Sequence, residues 1–141
     1  MELLPLGTLT LELASDRLFM LGSTPVGNRI IQEIAAVRFE GERLKANMKG
    51  AAAADWLAVD ATGIATFDIR LLLETDDEAL IYMAYFGKAD WSKGMGNGPV
   101  YVTAHFETGD DRYRWLNHAG VAGKGEVKPP GGIVYEFCQV V

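Results

Sequence analysis

Cysteine is nearly absent from this chain: Cys138 is the only one in 141 residues. A lone thiol closes no intramolecular disulfide, which fits a reducing compartment. With no histidine or basic residue beside it in sequence, it reads as a small buried hydrophobe and not as a nucleophile. Histidine is almost as scarce. His105 and His118 form no His-x-x-x-His or carboxylate-spaced set, and the Asp76-Asp77 and Asp110-Asp111 pairs lack a calcium-loop pattern, so no metal is expected. Basic residues are in deficit, 13 Lys and Arg against 19 Asp and Glu for a formal charge of −6. A phosphate backbone or an anionic membrane surface is therefore repelled on average. No unbroken apolar run approaches the roughly 18 residues of a spanning helix, and the N-terminus lacks the positive stretch of a signal peptide. The reading is a soluble, cytoplasmic protein that engages neither nucleic acid nor membrane.

Familiar catalytic signatures are missing too. Gly94-Met95-Gly96-Asn97-Gly98 and the glycines between Gly120 and Gly125 hint at phosphate loops, but no Gly-Lys-Ser/Thr follows and neither opens a helix. Ser15, Ser23 and Ser92 fall in or near turns, and none lies within Gly-x-Ser-x-Gly. No cofactor is expected.

What is present is a series of short alternating runs. A chain of 15.4 kDa fits one domain, residues 1–141, with a core large enough to dispense with staples. Its centre is the stretch from Gly63 to Gly87, two runs rich in branched and aromatic residues separated by Thr75-Asp76-Asp77-Glu78, which predicts a β-hairpin. Phe67, Ile69, Leu71 and Leu73 share one face. A loop of two or four residues sets them beside Leu80, Tyr82, Ala84 and Phe86; a three-residue loop reverses the partner face. The opposite face carries Thr66, Asp68, Arg70 and Glu74.

Around the hairpin, Leu9, Leu11 and Leu13 predict a first strand turned by Ala14–Arg17, and Leu18–Leu21 a second apolar run. Ile30–Phe39 suits a helical stripe or a strand face. Four alanines, Ala51–Ala54, favour helix on propensity, but Gly50 and strand-like neighbours argue against it. Trp56–Val59, Val100–Phe106, Asn117–Val121 and Ile133–Val141 read as strands, with Gly123-Lys124-Gly125 and Pro129–Gly132 as the last loop. The irregular stretch Lys88–Pro99 is the expected rim or lid. The total, about eight to ten short strands with no long helix, predicts an all-β antiparallel barrel or sandwich.

Several landmarks recur in order from about residue 27: Gly27-Asn28-Arg29, Phe39-Glu40-Gly41, Ala54-Asp55-Trp56-Leu57, Asp68-Ile69-Arg70, Thr75-Asp76-Asp77, Phe106-Glu107-Thr108, Tyr113-Arg114-Trp115-Leu116-Asn117 and Gly123-Lys124-Gly125. Through them the chain resembles the family catalogued as domain of unknown function 3237. The resemblance implies a single antiparallel β-barrel of lipocalin or streptavidin type and no settled activity. Two positions depart from the family pattern. Glu78 stands where a glycine is usual, which disfavours a type I′ turn, and Ala52–Ala54 replace glycines before Asp55-Trp56.

An eight-stranded barrel leaves room for one small ligand, and a polar group pointing inward must be paired or must touch that ligand. The expectation is that Asp55, Arg70 and Glu107 converge on such a cavity as a catalytic set, with Arg29, Tyr82, Trp115 and Asn117 shaping it. Against this stand plain alternatives: an Asp68–Arg70 ion pair, Asp55 capping a turn, Trp56 and Trp115 as core. Hairpin parity also separates Tyr82 from Arg70 unless a bulge switches the register. Two functional classes fit, and an oligomer-forming scaffold with a filled core stands beside them as a third. One is a cofactor-independent lyase, isomerase or cyclase in which an arginine orients an oxyanion and a carboxyl moves a proton. The other is a non-catalytic carrier of a small hydrophobic or aromatic molecule. A small organic molecule is the expected partner, and a homodimer the expected assembly.

Overall fold

The computed structural model describes residues 1–141. Nine strands follow one another: β1 (Leu3–Thr24), β2 (Gly27–Glu40), β3 (Lys45–Met48), β4 (Ala54–Val59), β5 (Ile64–Thr75), β6 (Leu80–Asp90), β7 (Val100–Glu107), β8 (Gly120–Lys128) and β9 (Gly132–Val140). A 3₁₀ helix, Asp111–His118, lies between β7 and β8. All pairings are antiparallel, and the sheet closes on itself because β1 pairs with both β9 and β2. β3 and β4 occupy the same place in the ring, each bridging β2 and β5 at a different height. The wall therefore has eight positions and is barrel-like.

Alternation fills the middle. Phe67, Ile69, Leu71 and Leu73 point inward as expected, but their partners are Ile81, Met83 and Tyr85 and not Leu80, Tyr82, Ala84 and Phe86. The connection has five residues, Thr75–Ala79, an odd number that inverts the expected parity. Thr75 N–H donates to the Ala79 carbonyl, the Thr75 hydroxyl to Asp77, and Ala79 N–H to the Thr75 hydroxyl. Glu78 takes φ 71° in this loop, the left-handed region that a glycine reaches without strain. Thirty buried residues form one continuous core. Tyr85, Tyr135 and Phe137 meet there with ring centroids 5.1 to 5.7 Å apart, within the range of favourable aromatic pairs.

Several local expectations are corrected. Ala14–Arg17 is not a turn: β1 runs on through it, and the register step from Leu13↔Ile34 to Leu18↔Gln32 absorbs these residues as a bulge. Residues 30–39 take the strand alternative, and Ala51–Ala54 is not helix, as Gly50 and the strand-like neighbours indicated. Asn117 belongs to the 3₁₀ helix, whose first turn Asp110 caps by accepting from Arg112 N–H. Gly123 and Gly125 lie inside β8 and not in a loop. A Cβ at 123 would come within 2.6 Å of the Phe137 ring, so the bare backbone is what lets the aromatic rings of β9 lie against it. Cys138 is half-buried. No helix is long and apolar enough to cross a membrane.

Candidate functional site

The β4–β5 seam is where the wall changes character. Ala54↔Arg70 and Asp55↔Ile69 pair, as do Ala58↔Thr66 and Val59↔Ala65, but Trp56/Asp68 and Leu57/Phe67 between them are skipped although the register is unchanged. Side chains take over there. Asp68 N–H donates to the Asp55 carboxylate at 3.2 Å, and the Trp56 carbonyl accepts from the Arg29 guanidinium at 2.8 Å. Asp68 N–H and the Trp56 carbonyl are thus satisfied by side chains in place of strand-to-strand bonds.

Outside this seam lies a cleft of about 580 Å³ whose wall includes Val26, Arg29, Trp56, Asp68 and Phe86, continuous with a recess between Arg29, Trp56, Asp68 and Arg70. Its volume is in the range of small-molecule sites. Phe67, an interior residue only 2 % exposed, also borders the cleft, which marks how thin the wall is. Trp56 is exposed, contrary to the reading of it as core. Arg70 forms an ion pair with Asp68 at 3.2 Å, whereas Arg29 has no carboxylate partner and spends one donor on the Trp56 carbonyl. A guanidinium carries five donors, so Arg29 retains several for an anionic ligand.

Asp55 sits behind this cleft, pointing inward. It is 6 % exposed, and burial pushes its carboxyl up to about 7, partly opposed by the Asp68 N–H bond. On the inner side stand Tyr85 and Tyr135, whose buried hydroxyls have no hydrogen-bond partner. Burial drives both phenols upward, and the Asp55 charge adds to the effect. The arrangement is a carboxyl able to exist in either protonation state near neutrality, backed by two neutral phenols.

The expected convergence on an interior cavity does not occur. Asp55 faces in while Arg70 and Glu107 face out, so the seven residues fall into three groups. Asp55, Arg29 and Arg70 gather at the β4–β5 seam. Tyr82, Glu107 and Asn117 border a second depression with Thr108 and Gly109. There Asn117 accepts from Thr108 N–H at 2.8 Å and donates to the Thr108 carbonyl at 2.9 Å, clamping the end of β7. Trp115 belongs to neither: the Arg43 guanidinium lies 3.6 Å over its ring, a cation–π contact. Tyr82 needs no bulge to share a face with Arg70, because the five-residue loop already turns it outward. Trp56 and Asp68 are the residues of the inner recess absent from the expected set. Their signal was the strand parity that sets Trp56 opposite in direction to Asp55. No group of three or more His, Cys, Asp or Glu side chains is placed to hold a metal ion.

The chain matches the description "Protein of unknown function (DUF3237)" over residues 1–140. No curated protein matches it in sequence. Among solved structures it is similar to a β-barrel-like protein from Acinetobacter baumannii AYE, at 32 % identity and TM-score 0.86, covering 98 % of this chain and 94 % of that one. A protein with unknown function from Clostridium acetobutylicum ATCC 824 is 18 % identical with TM-score 0.89 and complete coverage of both chains. An enzyme from Penicillium herquei is 18 % identical with TM-score 0.68, covering 97 % of this chain and 96 % of that one. The last two likenesses concern the fold alone.

Proposed function

The chain belongs to the DUF3237 family, proteins of unknown function, and on that premise we propose that it binds a small, planar, anionic organic molecule in the cleft outside the β4–β5 seam. The observation that carries this reading is Arg29, a guanidinium without a carboxylate partner beside the exposed Trp56 ring. The indole supplies a stacking platform, and Arg29 with Arg70 supplies planar donors matched to a carboxylate or enolate oxygen. Asp55 adds the chemistry from behind the wall: it does not line the cleft, and it meets a ligand there when the unpaired Trp56/Asp68 stretch of the seam opens over it. A carboxyl held near 7 is suited to accept and return a proton at neutral pH. In an isomerisation the C–H bond next to a carbonyl breaks, its proton goes to the Asp55 carboxylate, its electron pair moves to the oxygen held by the arginines, and the proton returns at a second atom as the double bond shifts. No cofactor enters that balance. One structural neighbour is named an enzyme, but a likeness of fold does not extend to activity, so turnover rests on Asp55.

A carrier reading is favoured by one feature, the apolar share of the cleft wall in Val26, Ala58 and Phe86. One experiment separates the two. The three indole N–H signals of the ¹⁵N-labelled protein are followed during titration with benzoate, 4-hydroxybenzoate and 2-naphthoate. Selective movement of the Trp56 signal, lost in Arg29→Ala, is expected; absence of any selective shift at millimolar probe overturns the binding reading. Where a bound ligand has an acidic C–H, its exchange in D₂O is then compared with Asp55→Asn. Exchange that stops in the variant supports proton transfer. Binding with no exchange in either protein leaves a carrier.

A further inference from the structure

The distal half of β1 has no neighbour on one side. β9 accompanies β1 only as far as Glu12↔Gly132, with one further bond from Leu13 N–H to the Gly131 carbonyl. Beyond that point β1 pairs with β2 alone, so the other edge of Leu18–Thr24 presents unpaired backbone groups. Leu18, Phe19, Met20 and Leu21 are 43 to 57 % exposed. Because successive strand residues point to opposite faces, both faces of this edge are apolar. From Leu18 to Asn28 there is no charged residue. The inward lysines or other charges that commonly protect a free edge are missing from Leu18–Thr24.

We propose that this edge is an interface with a second copy of the same chain, Leu18–Leu21 of one protomer pairing antiparallel with Leu18–Leu21 of the other about a twofold axis. Three observations select a second copy. An antiparallel edge is complementary to itself, which is what an isologous contact requires. The uncharged run lets two chains of formal charge −6 meet without setting like charges opposite each other. The surface area is also in excess: the chain exposes 7798 Å², where a compact monomer of its mass is expected to expose about 7200 Å². The surplus of about 600 Å² approaches the ~800 Å² each partner contributes to a stable interface. Twofold pairing continues the sheet from one barrel into the next and sets the four apolar side chains of each strand beside those of the other on both faces.

Sedimentation velocity of the full chain from 1 to 100 µM tests this. A species of twice the 15.4 kDa chain mass is expected. Met20→Lys and Leu21→Lys, which place a charge on opposite faces of the edge, should each raise the dimer Kd by about 100-fold or more, the loss of one or two buried apolar side chains, with far-UV circular dichroism unchanged. Leu21→Ser repeats the test with a gentler change should a lysine variant misfold. Wild type that remains monomeric at 100 µM, a trimer or larger ring, or a dimer that persists in folded Leu21→Ser and both lysine variants overturns the proposal.

Discussion

β5 has two edges, and they are built differently. Toward β6 it pairs without interruption through eleven residue pairs, from Ile64↔Asp90 to Glu74↔Leu80. Toward β4 it makes four pairs with a two-residue gap in the middle. Ile69 belongs to both, pairing with Tyr85 on one side and Asp55 on the other. On the β6 side the backbone satisfies itself and side chains have only to pack. On the β4 side Asp55 and Arg29 take the place of ladder bonds, which commits a carboxylate and a guanidinium to the wall itself. The difference shows how an otherwise apolar barrel acquires a polar site: the sheet is left unzipped for two residues, and the groups that make good the loss are those with chemistry.

The largest effect that should follow from this contrast is on the sealed edge. Leu71 is fully enclosed and pairs with Met83. Leu71→Ala is expected to cost about 4 kcal/mol in denaturant unfolding, toward the upper part of the range for buried leucines because a closed ring collapses poorly onto a void. A loss below about 1 kcal/mol would mean that the sealed side is not the rigid one.

The open edge should respond with the opposite sign. Asp55 is held near 7 when folded, against 3.8 when unfolded, so the folded state binds its proton more tightly. Stability from this group is present at low pH and falls as pH rises from about 4 to about 7, with the penalty complete above that. Asp55→Asn keeps an oxygen to accept Asp68 N–H and removes the charge. The variant should be more stable than wild type at pH 8 by about 2 to 3 kcal/mol, within the ~4 kcal/mol that a shift of about three units permits. Unfolding measured at pH 5 and pH 8 checks this, and a variant destabilised at both pH values would show that the carboxylate is held charged by groups other than Asp68 N–H.

Arg29 gives a smaller effect. Removing its bond to the Trp56 carbonyl by Arg29→Ala should cost about 1 kcal/mol and speed hydrogen exchange at Asp68 while leaving the β5–β6 amides protected. Equal acceleration on both edges would erase the distinction between them.

Much of this architecture was legible because alternation is a local property. Phe67 to Leu73, Val100 to Phe106 and Leu9 to Leu11 declare their inward face in the sequence, and enough such runs imply an all-β ring. The strand partners were not local. Whether Tyr82 or Tyr85 meets the core depends on one residue more or less in the loop Thr75–Ala79, and no periodicity records that. Length was misread where strands continue through a bulge, at Ala14–Arg17, or through glycines that sit under Phe137 and Tyr135. Asp55, Arg70 and Arg29 stand out in the sequence as charged members of the recurring landmarks, Arg70 on the polar face of the hairpin. That Asp55 points in and the two arginines lie outside the same opening followed from the β4–β5 gap, which depends on three strands at once. Glu107 and Trp115 belong to the same landmarks, but the fold sets Glu107 opposite Tyr82 and Trp115 under Arg43, away from Asp55.

The smallest predicted effect concerns the residue that sets this register. Glu78 holds φ 71°, a conformation costing a residue with a Cβ about 1 to 2 kcal/mol, and Glu78 N–H donates to the Thr75 carbonyl at 2.9 Å to close the loop. Glycine relieves the strain but has more freedom to lose on folding, so Glu78→Gly should stabilise by only about 0.5 kcal/mol. The gain should appear as slower unfolding or faster folding without any change in the Leu73↔Ile81 pairing, read from cross-strand nuclear Overhauser contacts. If the substitution instead moved Tyr82 inward, a tighter loop would have shifted the hairpin by one residue. The outer cleft would then lose its place beside Arg70, because the parity that turns Tyr85 toward Asp55 is the parity that turns Arg70 and Asp68 away from the core.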